Sequence, residues 1–344
     1  MLLMVSLLTG LLNGCSGVHY YSQAVGGQWD IWQRTQAISH LLLDESIDDT
    51  LKQRFNDILA MRAFASRELH LPDNDSYRHY ADLQRPYVVW SVFATPEFSL
   101  TPKQWCFWFV GCVTYRGYFS QTEAETFADS LSAEGNDVYV AGIAAYSTLG
   151  WFADPVLNTM LHWSDWRLAG LIFHELAHQQ LYIANDTAFN EAFAMTVEYE
   201  GIKRWLLFRR DEAQWQEYQR WLNYQHDFNQ LILDFRQELD ALYQESLEPS
   251  LMAFAKQNKF AQLQQRYQEL KTQRWDNFSG YDRWFNEVNN AKLNSVMTYQ
   301  QYVPALQTLL AQQEGDLLAF YQAAAQLGAL SFAQRQAYLA QLSE

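Results

Sequence analysis

Beyond Trp163 the apolar residues recur at helical spacing with hardly a break, and this limits what the chain can become. Helical periods run over 164–182, 187–209, 211–247 and 249–273, then over 281–294, 299–312, 315–327 and 331–342. The half before it is mixed. A helical pattern covers 27–71, with Ile31, Ala37, Ile38, Leu41 and Leu42 on one face and Leu51, Phe55, Ile58, Leu59 and Phe64 on another. The Pro, Asp and Asn content of 71–77 marks a turn. Stretches 86–98 and 106–119, dense in Val, Tyr, Phe and Trp, read as strands. Residues 122–134 read as a helix closed by Gly135, and 137–148 as a further strand. No period repeats, and no Gly/Ser linker separates the halves. The expected fold class is α+β and mostly helical, a small sheet packed against a helical body. A soft boundary near residue 163 separates parts 15–163 and 164–344, unless the two form one domain.

Charge narrows the function. The formal net charge is −15 and the 24 Lys and Arg form no stripe or run, so the chain lacks the electrostatic footprint of a nucleic-acid binder. The same charge gives no attraction to anionic lipid, and a membrane location would need another anchor.

The first residues offer one. Residues 1–14 carry no charge, are too short to span a bilayer, and suit a signal-peptide core. Leu12-Asn13-Gly14-Cys15 resembles the lipobox of bacterial lipoproteins, although no Lys or Arg precedes the apolar run. That resemblance implies cleavage before Cys15, diacylglycerol on its sulfur and, with Ser16 next, a periplasm-facing place on the outer membrane. Cys106 and Cys112 are the other cysteines. In an oxidising compartment they would close a small loop; the competing reading is two buried thiols serving as small apolar residues.

The strongest signal is HELAH at 174–178, inside an apolar helical run that contains no Pro. His174 and His178, four apart, project from one face and can hold one metal ion. Glu175 lies about 100° round the helix, off the metal's ligand positions but beside its open one. A general base that takes a proton from a zinc-bound water has to be there. Gln180 departs from the usual apolar residue at that position, which suggests a more exposed helix end.

FNEAFAMTVEYEG (189–201) resembles the third-ligand helix of the gluzincin metallopeptidases, in which an Asn-Glu pair supplies the remaining protein ligand. By that resemblance Glu191 completes the set for one zinc per chain. Glu191 lies thirteen residues after His178, a shorter interval than is usual in that group. Asn185-Asp186-Thr187 has the residues for the tight turn and helix cap this requires. Glu198, seven residues further on and on the same face, is expected to orient a ligating histidine and is the competing choice for the ligand.

Together the lipobox, the 71–100 block, the aromatic stretch around Cys106 and Cys112, AYSTLGWFADP and HELAH…FNEAFA resemble a bacterial family of lipoprotein aminopeptidases. The resemblance implies a gluzincin-like zinc peptidase with a peptide substrate. In gluzincins the strand before the metal helix borders the substrate groove, and 137–152 occupies that place. The Gly-x-Met-Glu-Asn motif that holds a free amine in large zinc aminopeptidases is absent; Asp154 and Glu198 are the acidic candidates for that task. An oxyanion donor is wanted as well, and 280–299 offers Tyr281 and Tyr299 together with Asn289 and Asn290. The leading expectation is a zinc-dependent peptidase with Glu175 as base. Two alternatives remain open: a noncatalytic zinc-binding envelope lipoprotein, which would have no use for Glu175, and an amidase acting on cell-wall peptides.

Overall fold

The helical period of 27–71 is cut twice. Residues 20–34 form helix α1, and the Thr35 hydroxyl turns back to donate to the Ile31 carbonyl at 2.7 Å. Thr35–Ala37 is then strand β1, followed by a short helix α2 (Ile38–Leu41) and an Asp-rich loop. The loop ends where the Asp48 carboxylate accepts from the Leu51 N–H at 3.0 Å, capping helix α3 (Asp49–Arg67). α3 buries Phe55, Ile58, Met61 and Phe64, close to the face its period marks. The computed structural model describes residues 20–107, 111–148, 150–296 and 302–342, so Cys15 and Tyr299 lie outside the described residues.

Short strands follow. They are β2 (His79–Ala81), β3 (Val89–Pro96), β4 (Trp105–Phe107), β5 (Gly111–Val113) and β6 (Arg116–Tyr118). Helix α4 (Gln121–Ala133) comes next, capped by Ser120, and Gly135 turns the chain at φ +82° into β7 (Asn136–Ile143). β8 (Val156–Leu157) precedes the helical half: α5 (Asp165–Gln180), α6 (Thr187–Arg209), α7 (Glu212–Tyr243) and α8 (Pro249–Arg274). Smaller helices close the chain: α9 (Asp282–Phe285), α10 (Asn290–Asn294), α11 (Val303–Gln312), α12 (Leu317–Gly328) and α13 (Phe332–Leu342). The chain is thus α+β and mostly helical, as its pattern predicts.

These elements form two compact units, each assembled from separated stretches of sequence. One unit comprises the chain up to Val89, Ile143–Trp215 and the segment from Tyr299 on. Its small sheet has the order β1-β2-β8, with β1 antiparallel to β2 (Gln36 opposite Tyr80) and β2 parallel to β8. Its centre is α5, buried on nearly every side by Trp166, Leu168, Ile172, Phe173 and Leu176, as an apolar helix must be. α5 packs chiefly on α6 and also on α3. Two glycines permit that closeness. A Cβ on Gly170 would stand 2.7 Å from Ile202 Cδ1, and one on Gly201 the same distance from Phe173 Cδ2. Arg54 of α3 fixes the start of α5 by pairing with Asp165 and donating to the Leu161 and Trp163 carbonyls.

The other unit comprises Trp90–Gly142 and Gln216–Thr298. Its three-stranded sheet runs β6-β3-β7, which leaves β7 at an edge, and β4 pairs with β5 across a Cys106–Cys112 disulfide. An aromatic core of Phe228, Phe235, Tyr267, Trp275 and Phe285 joins α7, α8 and α9. The helix expected over 281–294 is instead two. Asn286 leaves helical geometry, Glu287 takes φ +56°, and Asn289 caps α10 by accepting from the Lys292 N–H.

Candidate metal centre

α5 carries HELAH in its last two turns, with Leu176 and Ala177 packed inside and Gln180 exposed at the end. α6 begins after a six-residue connection, and its start is tied down by three contacts. The Asp186 carboxylate accepts from the Phe189 N–H at 3.1 Å and pairs at 2.7 Å with Arg335 of α13, both side chains being buried. Asn190, also buried, accepts from the Ile183 N–H and donates to the Ile183 carbonyl, each at 2.8 Å. The Asn of the Asn-Glu pair therefore holds the loop that lets α6 fold back against α5. That return places Glu191 opposite the histidines.

His174 Nε2 and His178 Nε2 stand 3.2 Å apart. Glu191 Oε2 lies 3.4 Å from the first, and Oε1 lies 3.6 Å from the second. One donor atom from each of the three falls within 4.8 Å of the others. Tetrahedral zinc with bonds of ~2.0–2.1 Å separates its ligand atoms by about 3.3 Å, close to these spacings. Two imidazoles and one carboxylate is also a donor set that catalytic zinc takes, with a position left for water or substrate. The residues present fit that metal.

His174 turns its other nitrogen outward: Nδ1 is 2.9 Å from Glu198 Oε2. Burial alone would depress the His174 pKa, but Glu191 and Glu198 more than offset it and hold it up at about 10. His178, sunk to 5% exposure, is driven down to about 4 by burial and by its neighbour His174. The Glu191 carboxyl is raised by burial, yet its bond to His174 and the charge of His178 bring it below the usual range. Carboxylates crowd this corner, and a cation there would offset their charge.

Glu175 points to a different set of partners. Burial, then the nearby Glu191 and Asp154 charges, lift its carboxyl above the ordinary range against the pull of His174 and a hydrogen bond with Ser147. Ser147 in turn donates to Asp154 Oδ2 at 3.2 Å, and Asp154 also accepts from the Thr148 amide at 2.9 Å and its hydroxyl at 2.8 Å. Asp154 thus spends its carboxylate on the 147–154 loop. Tyr77 completes the wall. It is 2% exposed, sits at φ +63° and donates its N–H to the Asp154 carbonyl at 2.7 Å. Burial first, then Glu175 and Asp154, push its phenol well above the ordinary value. A left-handed backbone at a bulky aromatic residue is strained and tends to mark functional sites.

Tyr281, Asn289 and Asn290 lie in the other unit. Tyr281 stacks on Phe228 at 4.3 Å, and Asn290 donates to the Glu97 and Ser99 carbonyls at 2.9 Å while accepting from the Tyr243 hydroxyl. Sequence reading missed Tyr77, Ser147, Gln179 and Arg335. The Asn74 amide donates to Gln179 Oε1 at 2.6 Å, pinning the turn before Tyr77 to α5. The Asp-Asn-Asp-Ser run preceding Tyr77 signals a turn, though nothing in it signals a site.

An α+β protein with a two-histidine, one-carboxylate cluster on adjoining helices is the class that fold and site define. A family profile described as "Putative aminopeptidase" matches residues 19–339, and the chain belongs to that family. No curated protein and no solved structure matches it.

Proposed function

We propose that this protein is a zinc-dependent peptidase in which Glu175 is the general base. The observation that carries the reading is the convergence of His174, His178 and Glu191 within 4.8 Å, with Glu175 on the same helix turn. Membership of an aminopeptidase family points to peptide hydrolysis. Zinc held by these three residues would supply Lewis acidity toward the peptide carbonyl and an acidified water. The chain's own groups do the rest. Glu175, raised by its buried setting, takes the proton of the attacking water and passes it to the departing amine nitrogen. Ser147 aims its carboxylate, and Glu198 fixes the His174 ring so that Nε2 faces the cluster. The same proposal places the enzyme at a bacterial cell envelope, held through a lipid on Cys15.

The test combines metal analysis of protein purified without chelator with exposure of the parent and Glu175→Gln to a mixed peptide library. About one zinc per chain, with cleavage by the parent and hardly any by the variant, supports the reading. No stoichiometric transition metal, or equal cleavage by both, overturns it. Cleavage positions also separate removal of terminal residues from internal cutting.

A further inference from the structure

Helix α1 is apolar on both sides. Gly27 and Ile31 are buried, while Val25 (71% exposed), Trp29 (57%) and Trp32 (40%) face outward. At 100° per residue these three fall within one 60° arc. The face continues beyond the helix. Trp32 meets Phe152 edge to face at 4.7 Å, and Trp151 beside it is 84% exposed. The loop bearing Trp151 and Phe152 is not slack: the Phe152 N–H donates to the Thr148 hydroxyl at 3.1 Å, and Thr148 is bound twice by Asp154. Its aromatic side chains are therefore presented outward by a well-tied backbone. Charge is nearly absent. α1 carries only Asp30 and Arg34, and these pair with each other at 2.7 Å.

We infer that the Val25–Trp29–Trp32 face, extended by Trp151 and Phe152, is a membrane-contact surface that seats the protein on the uncharged interfacial zone of a lipid bilayer. This rests on the reading of Cys15 as the lipidated residue. Tyr20 lies five positions after Cys15, a span that in any conformation reaches no further than about 18 Å. An acyl chain in the bilayer therefore keeps α1 next to the headgroups. There, indole rings lie favourably at the boundary between water and hydrocarbon. The diacylglycerol expected on Cys15 supplies two acyl chains for attachment, and an apolar protein face would add its own contact and orient the protein against the surface. Among the described residues no helix is long and apolar enough to cross a membrane, so the contact is with the surface. Because Thr148 and Asp154 anchor the same loop, the wall beside Glu175 would be carried on the membrane-proximal side.

The experiment uses residues 16–344, an unlipidated form that contains every described residue and lacks residues 1–15. Its tryptophan emission and co-sedimentation are followed with phosphatidylcholine vesicles. Binding with a blue shift is expected, unchanged by 0.5 M salt. Trp29→Ser and Trp151→Ser, checked by circular dichroism for intact fold, should each weaken partitioning on the order of tenfold, the scale of losing one buried large side chain. Absence of vesicle binding by the unlipidated chain overturns the inference even if native protein is membrane-bound through Cys15. So does binding that requires anionic lipid, or binding by both variants as tight as the parent's. Self-association through the same tryptophans without vesicle binding would assign the face to a second copy and overturn it as well. If Cys15 proves unmodified in cells while vesicle binding holds, only the anchor reading fails.

Discussion

His174 Nδ1 rests 2.9 Å from Glu198 Oε2, one carboxylate of α6 steering a histidine of α5. With a metal bound, the contact would keep the hydrogen on Nδ1 and turn the Nε2 lone pair toward the ion, on the side of His178 and Glu191. Glu198→Gln should therefore keep the metal but weaken its binding about 10–100-fold, the usual cost of removing such a partner. Zinc titration with a competing chelator measures this. Loss of binding as complete as in His178→Ala would instead make Glu198 a ligand.

Glu175 and Glu191 should separate cleanly. Glu175 contacts Ser147 and not the imidazole nitrogens, so Glu175→Gln should retain full zinc while activity falls by at least 10²–10⁴-fold, the range of general-base contributions. Glu191 lies 3.4 and 3.6 Å from the two Nε2 atoms, so Glu191→Gln should lose metal affinity along with activity. Metal content and peptide turnover on the same preparations decide. Unchanged zinc affinity in Glu191→Gln would remove it from the ligand set.

Gly170 sets the distance between the two helices that carry the histidine–glutamate cluster. An added Cβ would meet Ile202 Cδ1 at 2.7 Å and Glu198 Oε1 at 3.2 Å, so both the packing and the His174 partner would be displaced. Gly170→Ala should destabilise by about 1–3 kcal/mol, the common cost of overpacking, despite the better helix propensity of Ala. Denaturant midpoints provide the measure. A neutral or stabilising result would show that α5 and α6 have slack where they cross.

How far the sequence discloses this depends on whether the signal is local. α6 begins and ends where its period does, because Asn185-Asp186-Thr187 is a local turn and cap; Asn185 adopts φ +63° and Asp186 caps. The HELAH face and the Asn-Glu pair are local too. β1 was hidden, since three residues become a strand only through pairing with β2 some forty positions away. The break between α9 and α10 was hidden for the opposite reason: Asn289 and Asn290 look helical by period but act as cap and buried hub. Tyr77, Ser147 and Asp154 converge beside Glu175 only through tertiary folding, which no spacing along the chain records.

Arg335 is the most distant of these hidden parts. It lies 149 residues from Asp186, yet its guanidinium meets that carboxylate at 2.7 Å with both partners 5% exposed. Asp186 also caps α6, and Glu191 follows in that helix's second turn, so the pair braces the proposed third ligand from outside. Removing one member strands a buried charge. Arg335→Met should therefore cost about 3–5 kcal/mol in stability, the magnitude seen when a buried ion pair loses one partner. Asp186→Asn keeps a capping oxygen but forfeits the ion pair, leaving Arg335 without its counter-charge, and should cost similarly. In the double variant no unpaired charge remains, and part of that loss should return. Zinc affinity should follow the same order, weakest in Arg335→Met and partly restored in the double variant. Urea unfolding and zinc titration on the parent, the two single variants and the double variant form a complete cycle. Strictly additive losses, or full zinc affinity throughout, would mean that the pair neither acts as a unit nor supports the metal helix.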